Sequence, residues 1–120
     1  MKGEQYLTRP EDFIRVYSWG KWFSSKLIGI KSQPNGLDVT RYGFIVSKRV
    51  GKAVVRNRVK RRLREIMCQT ALRPGSDIIV SARPEAAQAG FGELKAVVLK
   101  LLAQASLVMQ DDKKDCFRDD

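Results

Sequence analysis

Ten basic side chains stand between Val39 and Arg64 without a single acid among them: Arg41, Lys48, Arg49, Lys52, Arg56, Arg58, Lys60, Arg61, Arg62 and Arg64. The other 94 residues hold 13 basic and 13 acidic side chains, so the whole net charge of +10 originates in this one segment. Arginine's planar fork grips phosphate oxygens at two points and stacks on bases, and lysine adds a point charge. Crowding like charges costs stability through self-repulsion, which an anionic partner relieves. The chemistry predicted here is phosphate binding.

Other chemistries find little to work with. The chain has no histidine, so the usual general base is missing. Glu11 and Asp12 lie far from the tail acids Asp111, Asp112, Asp115, Asp119 and Asp120, and no cluster suited to a two-metal site is apparent. Cys68 and Cys116 lack metal-ligand spacing and read as reduced thiols, since a disulfide framework would need more of them. With 120 residues, 43% of them hydrophobic, the chain affords one core. The expected division is a single domain over 1–108 and a charged, disordered tail over 109–120. No signal peptide is expected after Met1, and the apolar run from Ala96 to Met109 is interrupted by Lys100 and Gln104 and too short to span a bilayer. A cytoplasmic protein with no membrane partner is expected.

The elements that must carry the cations follow from pattern. Thr8 reads as a helix cap with Glu11 as its capping-box partner and Pro10 in the first turn; Phe13, Val16 and Tyr17 then share a face, and Gly20 ends the helix. Lys21 to Lys31 reads as one strand weakened at Gly29, followed by a turn at Pro34-Asn35-Gly36. A second strand is expected over Asp38 to Val50, with Phe44, Val46 and Lys48 on one face and Ile45 and Ser47 on the other. Gly51 breaks it. A long helix from Val54 to Leu72, a strand from Asp77 to Arg83 and an amphipathic helix from Phe91 to Val108 complete the chain. The last helix would bury Leu94, Val98, Leu101, Leu102 and Ala105.

At 100° per residue, Val55, Val59, Leu63, Ile66 and Met67 fall within an arc of about 120° that would pack on the sheet. Arg56, Lys60 and Arg64 form a row at i, i+4, i+8, with Asn57 and Arg61 beside it and Arg58 and Arg62 on the far flank. Like charges four apart destabilise a helix by about 0.2–0.5 kcal/mol per pair. A solvated surface helix is the ordinary explanation of such charge, but surface helices mix signs and this one does not meet an acid until Glu65. Composition leaves RNA and DNA equally open as partners, because a basic helix also fits a DNA major groove.

The run Val46-Ser47-Lys48-Arg49-Val50-Gly51-Lys52-Ala53-Val54-Val55-Arg56-Asn57-Arg58-Val59-Lys60-Arg61-Arg62-Leu63-Arg64-Glu65 closely resembles the signature of the protein-subunit family of bacterial ribonuclease P. Its hallmark is Arg-Asn-Arg followed by Lys-Arg and Arg-Glu. Glu11-Asp12-Phe13 through Gly20 resembles the family's first helix, and Ile78 to Pro84 and Phe91 to Leu94 its last strand and helix.

The resemblance implies an α/β (α+β) two-layer sandwich. Its small mixed sheet has a left-handed β-α-β crossover, as in the second domain of a small-subunit ribosomal protein, in the order α-β-β-(β)-α-β-α. It implies the non-catalytic subunit of a ribonucleoprotein that removes the 5′ leader of precursor tRNA. Catalysis would belong to the RNA subunit and its Mg2+, with no cofactor on the protein alone. The expected partners are that RNA, one protein per RNA, and precursor tRNA. Lys52, Arg56, Asn57, Arg58, Lys60, Arg61 and Arg64 would face the RNA subunit, with Lys48 and Arg49 at its edge; Lys48 and Arg83 would also approach the leader. Phe13, Tyr17 and Phe44 would line the leader cleft, although Phe13 and Tyr17 at i, i+4 equally suit a core face. Where the family often has an aromatic at the end of its first strand, this chain has Ile30-Lys31 after Gly29. The segment from Trp19 to Phe23 reads as core or as leader-facing. The alternatives are a structural ribosomal protein, a DNA-binding module and a stand-alone nuclease.

Overall fold

A computed structural model describes residues 6, 7 and 9–108. Helix α1 (Pro10–Trp19) starts at Arg9 rather than Thr8: Arg9 occupies the cap position without a side-chain cap bond, and Pro10 fills the first turn. Glu11 pairs with Arg9 at 3.8 Å instead of closing a capping box, and the capping role expected of Thr8 lies outside the described residues. Gly20 ends the helix, its N–H reaching the Val16 carbonyl.

The single strand expected over Lys21 to Lys31 is a hairpin of β1 (Lys21–Ser24) and β2 (Ile28–Pro34). Ser25 makes the turn: its Oγ accepts from the Leu27 and Ile28 N–H groups and donates to the Ile28 carbonyl. After β2, Asn35 Oδ1 takes the Leu37 N–H and Gly36 adopts φ 74°. The next strand, β3 (Arg41–Val46), is shorter than expected. Ser47 Oγ accepts from the Arg49 N–H and starts a 3-10 turn over Lys48–Val50, which removes Lys48 from the face of Phe44 and Val46.

Helix α2 (Ala53–Gln69) follows, closed early by Thr70, whose hydroxyl bonds the Ile66 carbonyl. Then come β4 (Ser76–Ala82), a 3-10 turn at Pro84–Gln88, and α3 (Phe91–Gln104). The observed order is α-β-β-β-α-β-α, with the additional strand that the family pattern allows. The sheet runs β1-β2-β4-β3: β4 pairs antiparallel with β2 and parallel with β3. A parallel pair of neighbours needs a crossover, and α2 is that crossover.

Strand alternation divides the core. Ile28, Ile30, Tyr42, Ile78 and Val80 face α2 and α3, meeting Val59, Leu63, Ile66, Leu94, Val98 and Leu102. On the other face α1 packs Val16 and Phe13 against Ile79, Ile45 and Leu7. Each fully buried aliphatic side chain stabilises the fold by roughly 1.5–3 kcal/mol, so the α2 arc is held against the sheet and its remaining faces are fixed in orientation. The charged segment over 109–120 and Cys116 lie outside the described residues; Cys68 is exposed on α2 and has no disulfide partner among the described residues.

Candidate nucleic-acid interface

Burial of Val59, Leu63, Ile66 and Met67 on the core side leaves Asn57, Arg61 and Arg64 exposed, with Lys60 half-buried at their margin. Arg56 falls inside the apolar arc on an ideal wheel. It lies in the first turns of α2, where it stays half-buried and donates Nε to the Gly51 carbonyl at 3.1 Å. Gly51 has φ 152°, and a Cβ there would come within 3.1 Å of Val55, so the tight connection needs glycine. The result is a basic loop, with Lys48, Arg49 and Lys52 exposed, fastened to the start of a basic helix. The helix N-terminus carries a partial positive charge of its own, and the first turn contains no acid. Loop, helix end and helix flank therefore all favour anions.

Among the described residues, none of Lys48, Arg49, Lys52, Arg56, Arg58, Lys60, Arg61, Arg62 and Arg64 forms a salt bridge. Arg41 is the exception within the segment, and it corrects the expectation of ten unpaired cations. Its Nε and Nη2 grip the two oxygens of Asp77 at 2.9 and 2.8 Å. Asp77 is fully buried and also accepts from Arg15 and, at 2.8 Å, from Asn35 Nδ2. Burial alone would raise its pKa, but the Arg41 and Asn35 hydrogen bonds and the Arg41 and Arg15 charges outweigh burial and leave it below the ordinary value. This cluster ties α1 to β3 and β4 and belongs to the fold.

The far flank of α2 is also partly committed. Arg58 donates to the Ala87 carbonyl at 3.2 Å and Arg62 to the Ala89 carbonyl at 2.9 Å. Both brace the segment that leads into α3. Arg58, expected to face the RNA subunit with the others, is thus set apart from the Lys60, Arg61 and Arg64 face. The Pro84–Gln88 turn packs against both α2 and the Lys48–Val50 turn, which brings the end of β4 and Arg83 beside the basic loop.

The aromatic residues separate by sheet face. Phe13 lies over Gly43, where a Cβ would come within 2.7 Å of its ring, and Tyr17 is 41% exposed on the same side. Phe44 does not join them. It points to the opposite face, packs against the main core and meets Tyr42 edge to face with centroids 5.7 Å apart. The sequence alternation pairs Phe44 with Val46 but leaves open which side of the sheet they occupy. Trp22, left open by the sequence, stands on the Phe13 and Tyr17 side and is 47% exposed, while its neighbour Phe23 turns to the core. No group of three His, Cys, Asp or Glu side chains suited to a metal ion occurs among the described residues. No helix among them is long and apolar enough to cross a membrane.

A small α+β domain with one face of unpaired cations, beside a half-open sheet bearing exposed aromatic rings, defines a polynucleotide-binding domain. The profile of the family described as Ribonuclease P matches residues 1–106, and the chain belongs to that family. It is 42% identical over 120 residues, all of both chains, to the ribonuclease P protein component of Dehalococcoides mccartyi strain CBDB1. Against the ribonuclease P protein component of Caldanaerobacter subterraneus subsp. tengcongensis it is 42% identical over 89% of this chain and 94% of the relative. Among solved structures, the Staphylococcus aureus RNase P protein superposes with a TM-score of 0.80 at 28% identity, covering 88% of this chain and 98% of the other. The Thermotoga maritima protein gives 0.76 at 28% identity, over 82% and 96%.

Proposed function

We propose that this chain serves ribonuclease P by positioning RNA, with the exposed cations of α2 and of the Lys48–Lys52 loop forming its contact with the RNA subunit. One observation carries the reading: Lys48, Arg49, Lys52, Lys60, Arg61 and Arg64 are held together by a rigid fold with no carboxylate paired to them among the described residues. Asn57 shares that surface, and Arg56 shapes its loop while adding charge. RNA phosphates supply the missing counter-charge, and counterion release drives binding.

The substrate is precursor tRNA, and one protein acts per RNA. Its 5′ leader lies along the sheet face that α1 leaves partly open, near Phe13, Tyr17, Lys48 and Arg83. The domain spans residues 1–108 and acts in the cytoplasm. Divalent cations belong to the RNA: the buried carboxylate of Asp77 is saturated by Arg15, Arg41 and Asn35, and the other acids among the described residues form no triad for a metal. The protein's contribution is orientation, which converts a loosely bound substrate into a placed one.

Reconstitution tests this reading. The chain mixed with a bacterial ribonuclease P RNA should accelerate 5′ leader removal at low magnesium, and the chain alone should cleave nothing. A chain that instead leaves processing unaltered and sediments with ribosomal subunits would support a structural ribosomal role.

A further inference from the structure

The sheet face beside α1 carries a feature that the basic helix does not account for. In β1 and β2, Trp22 stands directly across from Lys31, and Gly29 lies diagonally beside it. A Cβ on Gly29 would lie 2.4 Å from Trp22 Cη2 and 2.6 Å from Cζ2. The six-membered ring therefore rests on bare backbone, which only glycine permits, and 47% of the side chain remains open to solvent. On the other side of Lys31 its ammonium sits 5.3 Å from the centre of the Tyr17 ring and bonds the Tyr17 carbonyl. Two half-open rings thus flank one ammonium. In the next row of the sheet, Gly29 is paired with Ser81, whose buried Oγ has no hydrogen-bond partner among the described residues.

We infer that Trp22 is a stacking platform for an unpaired base of the precursor's 5′ leader, with Lys31 beside it for the adjoining phosphate. The inference rests on the proposed function and extends it to a named contact. A large aromatic ring normally gains most from full burial, and the core that takes Phe23 lies one residue away. Trp22 instead packs its six-membered ring against a glycine with cationic and polar neighbours. That is the composition of a single-strand site: π-faces for bases, positive charge for the backbone, and no base-specific pairing edge. A protein partner is disfavoured by the Lys31 ammonium at the centre of the patch.

The test uses the reconstituted holoenzyme and two precursors, one with a leader of several nucleotides and one with a single-nucleotide leader. Trp22→Ala should weaken binding of the long-leader substrate on the order of tenfold and leave the short-leader substrate unchanged. Trp22→Phe should recover most of the loss. Gly29→Ala, which drives a methyl group into the ring, should reproduce Trp22→Ala. In a Trp19→Phe background, the fluorescence of Trp22 should be quenched by long-leader precursor and not by the short one. Equal weakening of both substrates, or no weakening and no quenching, would overturn the inference while leaving the subunit's function intact. A wild-type holoenzyme that does not process precursor tRNA would remove the function and the inference together.

Discussion

Not every cation in the basic segment should count equally in RNA binding, and the difference is measurable. Lys60, Arg61 and Arg64 make no salt bridge or side-chain hydrogen bond among the described residues, whereas Arg62 spends its guanidinium on the buried Ala89 segment. Six cations remain for RNA once Arg41, Arg56, Arg58 and Arg62 are set aside: Lys48, Arg49, Lys52, Lys60, Arg61 and Arg64. At about 0.7–0.9 per neutralised phosphate, the slope of log affinity against log salt should be about −4 to −5 if all six engage. Changing Lys60, Arg61 and Arg64 to Ala should flatten it by about 2–3. Across about 50 to 200 mM salt, that makes the affinity loss smaller by about twenty- to fortyfold. Arg62→Ala should leave the slope unchanged. It should instead lower the melting temperature by about 5 °C or more, since a lost partner of a buried carbonyl costs about 1–3 kcal/mol. Filter binding to a ribonuclease P RNA over a salt series, alongside thermal melts, reads both. An Arg62→Ala slope change as large per charge as that of the triple variant would refute the division into free and bracing cations. An unchanged slope in the triple variant would refute the interface itself.

Three further outcomes are expected. Asp77→Asn should destabilise the fold by about 3 kcal/mol in urea titration, because Arg41 and Arg15 lose their buried counter-charge. The folded carboxyl of Asp77 titrates below its ordinary value of 3.8, so its stabilising contribution is complete above that pH and is lost as pH falls through the folded pKa. Wild type should therefore weaken with acid below about pH 4 more steeply than Asp77→Asn, as acid-titrated melts would reveal. Leu63→Ala, at a site with no exposure, should cost about 2–5 kcal/mol in the same titration and reduce RNA binding only through the unfolded fraction. Replacing Arg56, Lys60 and Arg64 with Ala should raise the magnesium concentration needed for half-maximal cleavage by the holoenzyme, and an unaltered magnesium dependence would argue against charge substitution.

The sequence carried α2 plainly, because the apolar arc and the cation rows repeat with the same period and support each other. It hid the β1–β2 hairpin, since the turn depends on one serine hydroxyl and has neither glycine nor proline to mark it. The Asp77 cluster was invisible for a different reason: its partners lie 62, 42 and 36 residues away. Counting charges could not reveal that Arg41 was neutralised, nor that Arg58 and Arg62 were bound to backbone carbonyls. Alternation along β3 placed Phe44 and Val46 together, yet only the third dimension decides which face meets the core. Trp22 lacked a signal because its role depends on Gly29, a neighbour across the hairpin and not along the chain.

The strand order β1-β2-β4-β3 has a consequence for biosynthesis. The strand made last sits between β2 and β3 and bonds to both. While the ribosome is still producing the segment before Ser76, the hairpin and α2 can form locally, but β3 has only the short Tyr6 bridge beside it, and Arg15 and Arg41 have Asp12 but not yet the buried carboxylate of Asp77. Emergence of a single seven-residue strand then zips the sheet and seats the charge cluster in one event. A transcript truncated just upstream of it would yield a chain with open strand edges and a cationic helix that has no sheet to rest on, a species prone to aggregate.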